Sequence, residues 1–334
     1  MEIKYSFIIP VYNRPQEIEE LLQSFLVMKK SVCYEIIIVE DGSSLSSEDV
    51  VSKYKNQLTI QYFKKENSGP GDSRNFGMQR ARSSYFIILD SDVILPTHYL
   101  WAVDKYLSSH PFDCFGGPDA ALATFTPLQK AINYTMTSML TTGGIRGKNK
   151  SVKAYEPRSF NMGLSKIAFE NTGGFGRIHP GEDPDLVQRL KKQGFSIGFI
   201  EEAFVYHKRR ISWSKFYTQV NKFGKVRPIL NQWHPKSKNI VFWFPSLFIA
   251  VSLLSLILTL TGLYIPIVLM GFYLLILFLH ASFLEKSVRV GFYVLCAVFI
   301  QFYGYGLGFL KSSIFLKFKS KTPEQLFPNL FFNS

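Results

Sequence analysis

Residues 5–11 form a short, mainly apolar run, and 15–28 follow with Ile18, Leu21, Leu22 and Phe25 at helical spacing. The pattern then predicts a strand at 35–39, a polar turn at 40–44, a strand at 58–63, a helix over 72–82 and a buried strand at 85–89 ending at Asp90. Strands alternating with helices imply an α/β fold with a mostly parallel sheet covered on both faces. Ligands of such sheets gather beyond the carboxyl ends of the strands, where Asp41 and Asp90 stand. The first strand has no GxGxxG after it, which disfavours a nicotinamide-binding domain.

The pattern changes after residue 235. No charged side chain lies between Asn239 and Leu284, and residues 240–260 and 264–283 are each long enough to cross the roughly 30 Å hydrocarbon core as a helix. Thr261-Gly262-Leu263 between them is a tight hairpin turn, and Pro245 and Pro266 fall near the starts of the spans, where a missing N–H matters least. A third apolar segment, 288–310, contains Gln301 and alternating glycines at Gly304, Gly306 and Gly308, suiting close helix packing or a broken, re-entrant course. Domains are thus expected at 1–235, at 236–310 in the membrane, and at 311–334 as a basic and apolar tail suited to the interface. Lys236 and Lys238 before the first span place the amino-terminal domain in the cytoplasm, and Lys286 and Arg289 agree. Three complete crossings would carry Lys311, Lys317, Lys319 and Lys321 to the opposite side, against that tendency. Either the third segment does not cross fully or the bias is overridden. No amino-terminal signal peptide is evident.

Composition sharpens this division. The 334 residues carry a formal charge of +13, but only six of 38 basic and two of 25 acidic residues lie beyond Asn239. No nucleic-acid recognition module accompanies the charge, so no nucleic-acid partner is expected. Three cysteines exclude a disulfide-stapled scaffold.

Five stretches carry a specific resemblance: FIIPVYNRP at 7–15, IIIVEDGSS at 36–44, ENSGPGDSRNFGMQRARSSYFIILDSDVILP at 66–96, FNMGLSKIAFENTGGF at 160–175 and GEDPDLVQRL at 181–190. In this order they resemble family 2 glycosyltransferases of the GT-A fold, particularly membrane-attached bacterial members. The resemblance implies a nucleotide-diphospho-sugar transferase fold joined to carboxyl-terminal transmembrane helices. It also implies a DXD motif at Asp90-Ser91-Asp92. Two carboxylates at a strand end suit Mn²⁺ or Mg²⁺ and a donor diphosphate, with Asp92 the direct ligand and Asp90 touching ribose or the metal shell. His207, in AFVYHK, is the further metal ligand that the resemblance suggests; a hydrogen-bonded histidine is the plainer alternative.

By the same resemblance, Pro10, Tyr12 and Arg14 line the nucleotide loop, Asp41 accepts from a nucleobase N–H, and Arg74 lies near nucleotide or phosphate. Capping by Asp41 and a surface charge at Arg74 are the plainer readings. Asn67 and Gly69 shape the preceding loop. Asp183, in Gly181-Glu182-Asp183, is implied to be the general base. It would take a proton from an acceptor hydroxyl as that oxygen displaces the nucleoside diphosphate with inversion. Glu182 and Trp213 are expected on the acceptor side, Asp185 in the first turn of the helix, and Arg209 and Arg210 around the diphosphate. Gly117 and Asp119 either approach the donor sugar or form a turn. Residues 125–140, with Lys148, Lys150 and Lys153 beyond, form a membrane-facing amphipathic segment or an ordinary solvated face. No QxxRW follows, which argues against a processive synthase.

The chain is therefore expected to be an enzyme of the bacterial cytoplasmic membrane, with its catalytic domain facing the cytoplasm. Its partners are a nucleotide sugar, UDP-linked in the leading reading, and a lipid or lipid-linked saccharide acceptor. Packing of the membrane segments could make a homo-oligomer. The alternatives are a polyprenyl-phosphate sugar synthase and a non-catalytic sugar-binding or assembly protein.

Overall fold

The computed structural model describes residues 2–29, 31–120, 125–142, 156–207 and 212–332. Among these, 2–29, 31–120, 156–207 and 331–332 form one compact unit, and 125–142 and 212–330 another.

The first unit is built on strands β1 (Tyr5–Val11), β2 (Tyr34–Asp41), β3 (Ile60–Lys65), β4 (Tyr85–Leu89), β5 (Val93–Ile94), β6 (Cys114–Gly116), β7 (Asp119–Ala120), β8 (Asn161–Ser165), β9 (Ile197–Phe199) and β10 (Val205–His207). Seven of them form a sheet in the order β3-β2-β1-β4-β8-β6-β9. The first four are mutually parallel, whereas β8 runs antiparallel to both β4 and β6. The helices in chain order are α1 (Pro15–Val27), α2 (Glu48–Tyr54), α3 (Pro70–Arg80), α4 (Tyr99–Ser109), α5 (Pro127–Thr137), α6 (Met139–Thr142), α7 (Lys166–Thr172) and α8 (Glu182–Lys192). They continue with α9 (Trp213–Trp233), α10 (Phe244–Leu260), α11 (Ile265–Leu284), α12 (Val288–Phe318) and α13 (Pro323–Leu326).

The mainly apolar reading of β1 is explained by burial on both faces. Alternate side chains enter different cores: Phe7 and Ile9 pack with Ile18, Leu21 and Phe25 of α1, while Ile8 packs with Met78, Leu186 and Leu190 of α3 and α8. The α1 residues that the spacing selects are all buried. A second, three-stranded sheet of order β5-β10-β7 has no counterpart in the sequence reading. It pairs His207 with Val93 and Val205 with Asp119.

The second unit contains three helices long and apolar enough to cross a membrane: Ile240–Leu260, Ile265–Leu284 and Val288–Phe318. The third is continuous through its glycines and extends past residue 310. Gly304 and Gly308 do not break it; they admit α9, whose Val220 side chain and Asn221 carbonyl would lie 2.6 and 2.4 Å from any added Cβ. Composition assigns α9 to the amino-terminal portion, but packing groups it with the apolar helices. The same holds for α5, whose capping box at Thr126 and Gln129 starts a helix buried through Ala131 and Tyr134 against α11 and α12.

Candidate active site

Asp90, Ser91 and Asp92 link β4 to β5, and the β5–β10 pairing brings His207 to them. His207 Nε2 stands 3.2 Å from Asp92 Oδ1, and His207 Nδ1 stands 3.7 Å from Asp119 Oδ2. Phe160 stacks on the imidazole with ring centroids 4.9 Å apart. Arg14 Nη1 donates to Asp92 Oδ2 at 2.5 Å. Burial works to raise the Asp92 carboxyl, but the charges of His207 and Arg14 outweigh it and hold the group well below the usual carboxylate range.

One ligand atom each from Asp90, Asp92 and His207 lies within 4.8 Å of the others. Asp92 Oδ1 is buried without an aligned hydrogen-bond donor, a costly state that a cation would relieve. Two carboxylates and an imidazole also suit Mn²⁺ or Mg²⁺ chemically. The residues fit a divalent ion.

Arg74 is not the surface charge of the plainer reading. It is buried, donates to Asp90 Oδ1 at 2.8 Å and to Glu182 Oε1 at 3.0 Å, and lies over the Phe175 ring. Glu182 is likewise buried and meets His179 Nδ1 at 3.0 Å. Its burial would raise its carboxyl, but His179 and Arg74 bring it down to about 2. Arg74 therefore ties the N-terminus of α8 to the DXD segment, and Glu182 faces this buried network. Next to it, Asp183 Oδ2 lies 3.8 Å from Arg158 Nη1 with its side chain 16% exposed. Asp185 pairs with Arg189, which also donates to the carbonyls of Thr172 and Gly174.

Asp41 is buried, and its carboxylate receives Lys65 Nζ at 2.7 Å, Ser68 N at 3.0 Å, Gly69 N at 2.9 Å and Asn67 Nδ2 at 3.3 Å. Its acceptor positions are filled by the chain itself, and they hold the 66–69 loop. Pro10 is buried in β1, Tyr12 is half exposed, and Ser91 is buried. Asn13 pins the Arg14 loop to the one after β2 by accepting from Leu45 N at 2.8 Å. Gly117 is a packing residue: an added Cβ would fall 1.9 Å from the Ala203 carbonyl oxygen. The Asp119 side chain is fully buried beside His207. Trp213 begins α9 in the other unit, against Tyr293. Arg209 and Arg210, with Lys148, Lys150 and Lys153, lie outside the described residues.

The sequence reading missed Arg158, Lys65 and His179. Arg158 and Lys65 carried only the weak signal of a charge beside a motif. His179 stands three residues before Glu182, but nothing in the pattern marks the pair.

A model of the family described as "Glycosyl transferase family 2" matches residues 6–167, and one described as "Glycosyl transferase family group 2" matches 159–314. An uncharacterized glycosyltransferase of Rickettsia felis (strain ATCC VR-1525 / URRWXCal2) is 40% identical over 91 residues, covering 27% of this chain and 15% of its own length. Chondroitin synthase of Escherichia coli is 27% identical over 237 residues, covering 60% and 34%. The chain thus spans well under half the length of these curated relatives. The mannosyltransferase PcManGT from Pyrobaculum calidifontis, solved in complex with GDP-Man and Mn²⁺, matches with a TM-score of 0.61 at 12% identity, over 95% of this chain and 88% of that one. That likeness is one of fold.

Proposed function

The chain belongs to glycosyl transferase family 2, and from that premise we propose that it moves a sugar from a nucleoside-diphosphate donor to a hydroxyl of a membrane-resident acceptor, with inversion. The observation that carries this reading is the convergence of Asp90, Asp92 and His207 at the strand ends, with Arg14 beside them. With a divalent cation held by its carboxylates, such a cluster suits a diphosphate far better than a neutral ligand. A divalent cation, Mn²⁺ or Mg²⁺, would be held by Asp92 and His207 with Asp90 alongside, and would neutralise charge on the leaving diphosphate. The manganese and GDP-mannose named for the Pyrobaculum neighbour accord with this assignment.

Asp183 takes the proton of the acceptor hydroxyl as its oxygen bonds to the anomeric carbon. The carbon–oxygen bond to phosphate breaks, and the nucleoside diphosphate departs with the electron pair. Arg74 positions this base by tying the adjacent Glu182 to Asp90. Asp41 contributes to donor binding through the 66–69 loop it holds. UDP remains the leading donor nucleotide. The apolar helices favour a lipid-linked saccharide or glycolipid as acceptor, used at the cytoplasmic face of a bacterial inner membrane during surface polysaccharide assembly.

The purified chain, offered a panel of nucleotide sugars with lipid-linked and glycolipid acceptors plus Mn²⁺ or Mg²⁺, is expected to release a nucleoside diphosphate and give an acceptor heavier by one sugar. Absence of turnover and hydrolysis with every donor, together with absence of metal-dependent nucleotide binding, overturns the reading.

A further inference from the structure

The helix α12 is about 46 Å long, against roughly 30 Å of hydrocarbon. If it crossed beside α10 and α11, its end near residue 309 would meet the far end of α10, around Leu260. Instead Trp243 packs on Phe309 at 4.9 Å, Ser246 Oγ donates to the Gly306 carbonyl at 3.2 Å, and Phe248 packs on Phe302 at 4.8 Å. The start of α12 meets the end of α11, with Phe278 on Phe292 and Leu277 and Ala281 clustered with Val290 and Val294. Both contacts lie at the same end of the α10–α11 hairpin. Beyond them, Leu254, Ile257, Val268 and Leu269 near the hairpin turn are exposed.

The companion of α12 is equally telling. Along its length it packs against α9, from Trp213 on Tyr293 to Asn221 Nδ2 donating to the Gly304 carbonyl at 2.9 Å. That helix carries Lys215, Lys222, Lys225 and Arg227, which are costly at bilayer depth. The large exposed apolar residues of α12 are Val288, Phe292, Phe299, Leu307, Ile314 and Phe318. At about 100° per residue they fall within about 120° of one side, and exposed Arg289 and Lys317, one near each end of the helix, project on that same side, where long basic side chains reach the headgroups of a lipid surface. Finally, Phe331 bridges to Ile178 and Phe332 N donates to the Arg177 carbonyl at 3.1 Å, so the chain re-enters the unit that holds the DXD segment.

We infer that α12 lies along the membrane surface across the head of a two-helix transmembrane hairpin, with its single apolar stripe against lipid, and that the chain crosses the bilayer only at α10 and α11. Both ends of α12 then lie on the side of the catalytic unit. Lys311, Lys317, Lys319 and Lys321 join Lys236 and Lys238 on one face, which removes the charge conflict of a three-span topology.

Cysteines placed one at a time in the whole chain with Cys33→Ser and Cys296→Ser, which leaves only the buried Cys114, and probed in sealed membrane vesicles with a membrane-impermeant maleimide test this topology without reference to activity. Ser320→Cys and Lys321→Cys are expected to react in the same vesicle orientation as Asn56→Cys of the catalytic unit. Thr261→Cys, in the hairpin turn, should react only in the opposite orientation or after detergent. Either tail cysteine suffices if the other variant fails to accumulate. Tail cysteines that react together with Thr261→Cys, and not with Asn56→Cys, establish a third crossing and overturn the inference.

Discussion

His207 reaches Asp92 across the small sheet, Nε2 to Oδ1 at 3.2 Å, because β10 pairs antiparallel with β5 immediately after the DXD segment. If the two hold one cation, His207→Ala should weaken Mn²⁺-dependent binding of a nucleoside diphosphate by at least about 10–100-fold, the scale seen when even a supporting contact is lost. Binding without metal should change little. Titration calorimetry with and without Mn²⁺ separates the two, and equal losses in both would assign His207 a packing role beneath Phe160.

Arg74 serves two carboxylates, and Glu182 is the one that has no water to turn to. Arg74→Leu should therefore destabilise the protein by about 3–5 kcal/mol, the cost of stranding a buried charge. The double variant Arg74→Leu/Glu182→Leu should recover a large part of that loss. Thermal unfolding of the parent, Arg74→Leu, Glu182→Leu and the double variant in one detergent gives the coupling, and strictly additive losses would show that the two side chains act separately.

The sheet was legible for a physical reason: β1, β2 and β4 are buried on both faces and read as runs rich in apolar residues, and α1 buries the residues its spacing selects. Strand β8 was not, because its alternation rests on only two apolar residues, Met162 and Leu164, between Asn161, Gly163 and Ser165. The small sheet consists of strands two or three residues long, too short to show alternation, so the partners of His207 could not be read from pattern. Charge in a sequence also does not declare its partner. Arg74 and Asp41 read as ligand contacts, and no pattern announced the partners they have within the chain, Glu182 and Asp90 for the first and the 65–69 segment for the second. Hydropathy marked the apolar helices but carries no information on their direction.

Asp183 stands next to Glu182 of this network, close to Arg158 and still reachable from solvent. Asp183→Asn keeps size and shape but cannot take the acceptor proton. It should lower turnover by about 10²–10⁴-fold, the usual contribution of a general base, with donor affinity within a few-fold of the parent. Single-turnover assays beside equilibrium nucleotide binding check both halves. Undiminished transfer would move the base elsewhere, and parallel loss of donor binding would make the residue part of the donor site.

Far from the site, Glu35 is a fully buried carboxylate at the start of β2. Burial works to raise its carboxyl, but hydrogen bonds from Ser6, the Arg82 backbone and guanidinium, and Gln61 bring it below its ordinary value. A group depressed in the folded state contributes its stability above its unfolded pKa of about 4.3, and that contribution is lost as pH falls through the folded value. The parent should therefore unfold more easily as pH drops below about 4.3. Glu35→Gln should cost about 1–3 kcal/mol at neutral pH, because one buried oxygen acceptor is replaced by a donor facing donors. The gap between variant and parent should then narrow in acid. Unfolding midpoints between neutral and acid pH measure this, and a gap that stays constant across the range would mean that the Glu35 charge contributes nothing to the linkage.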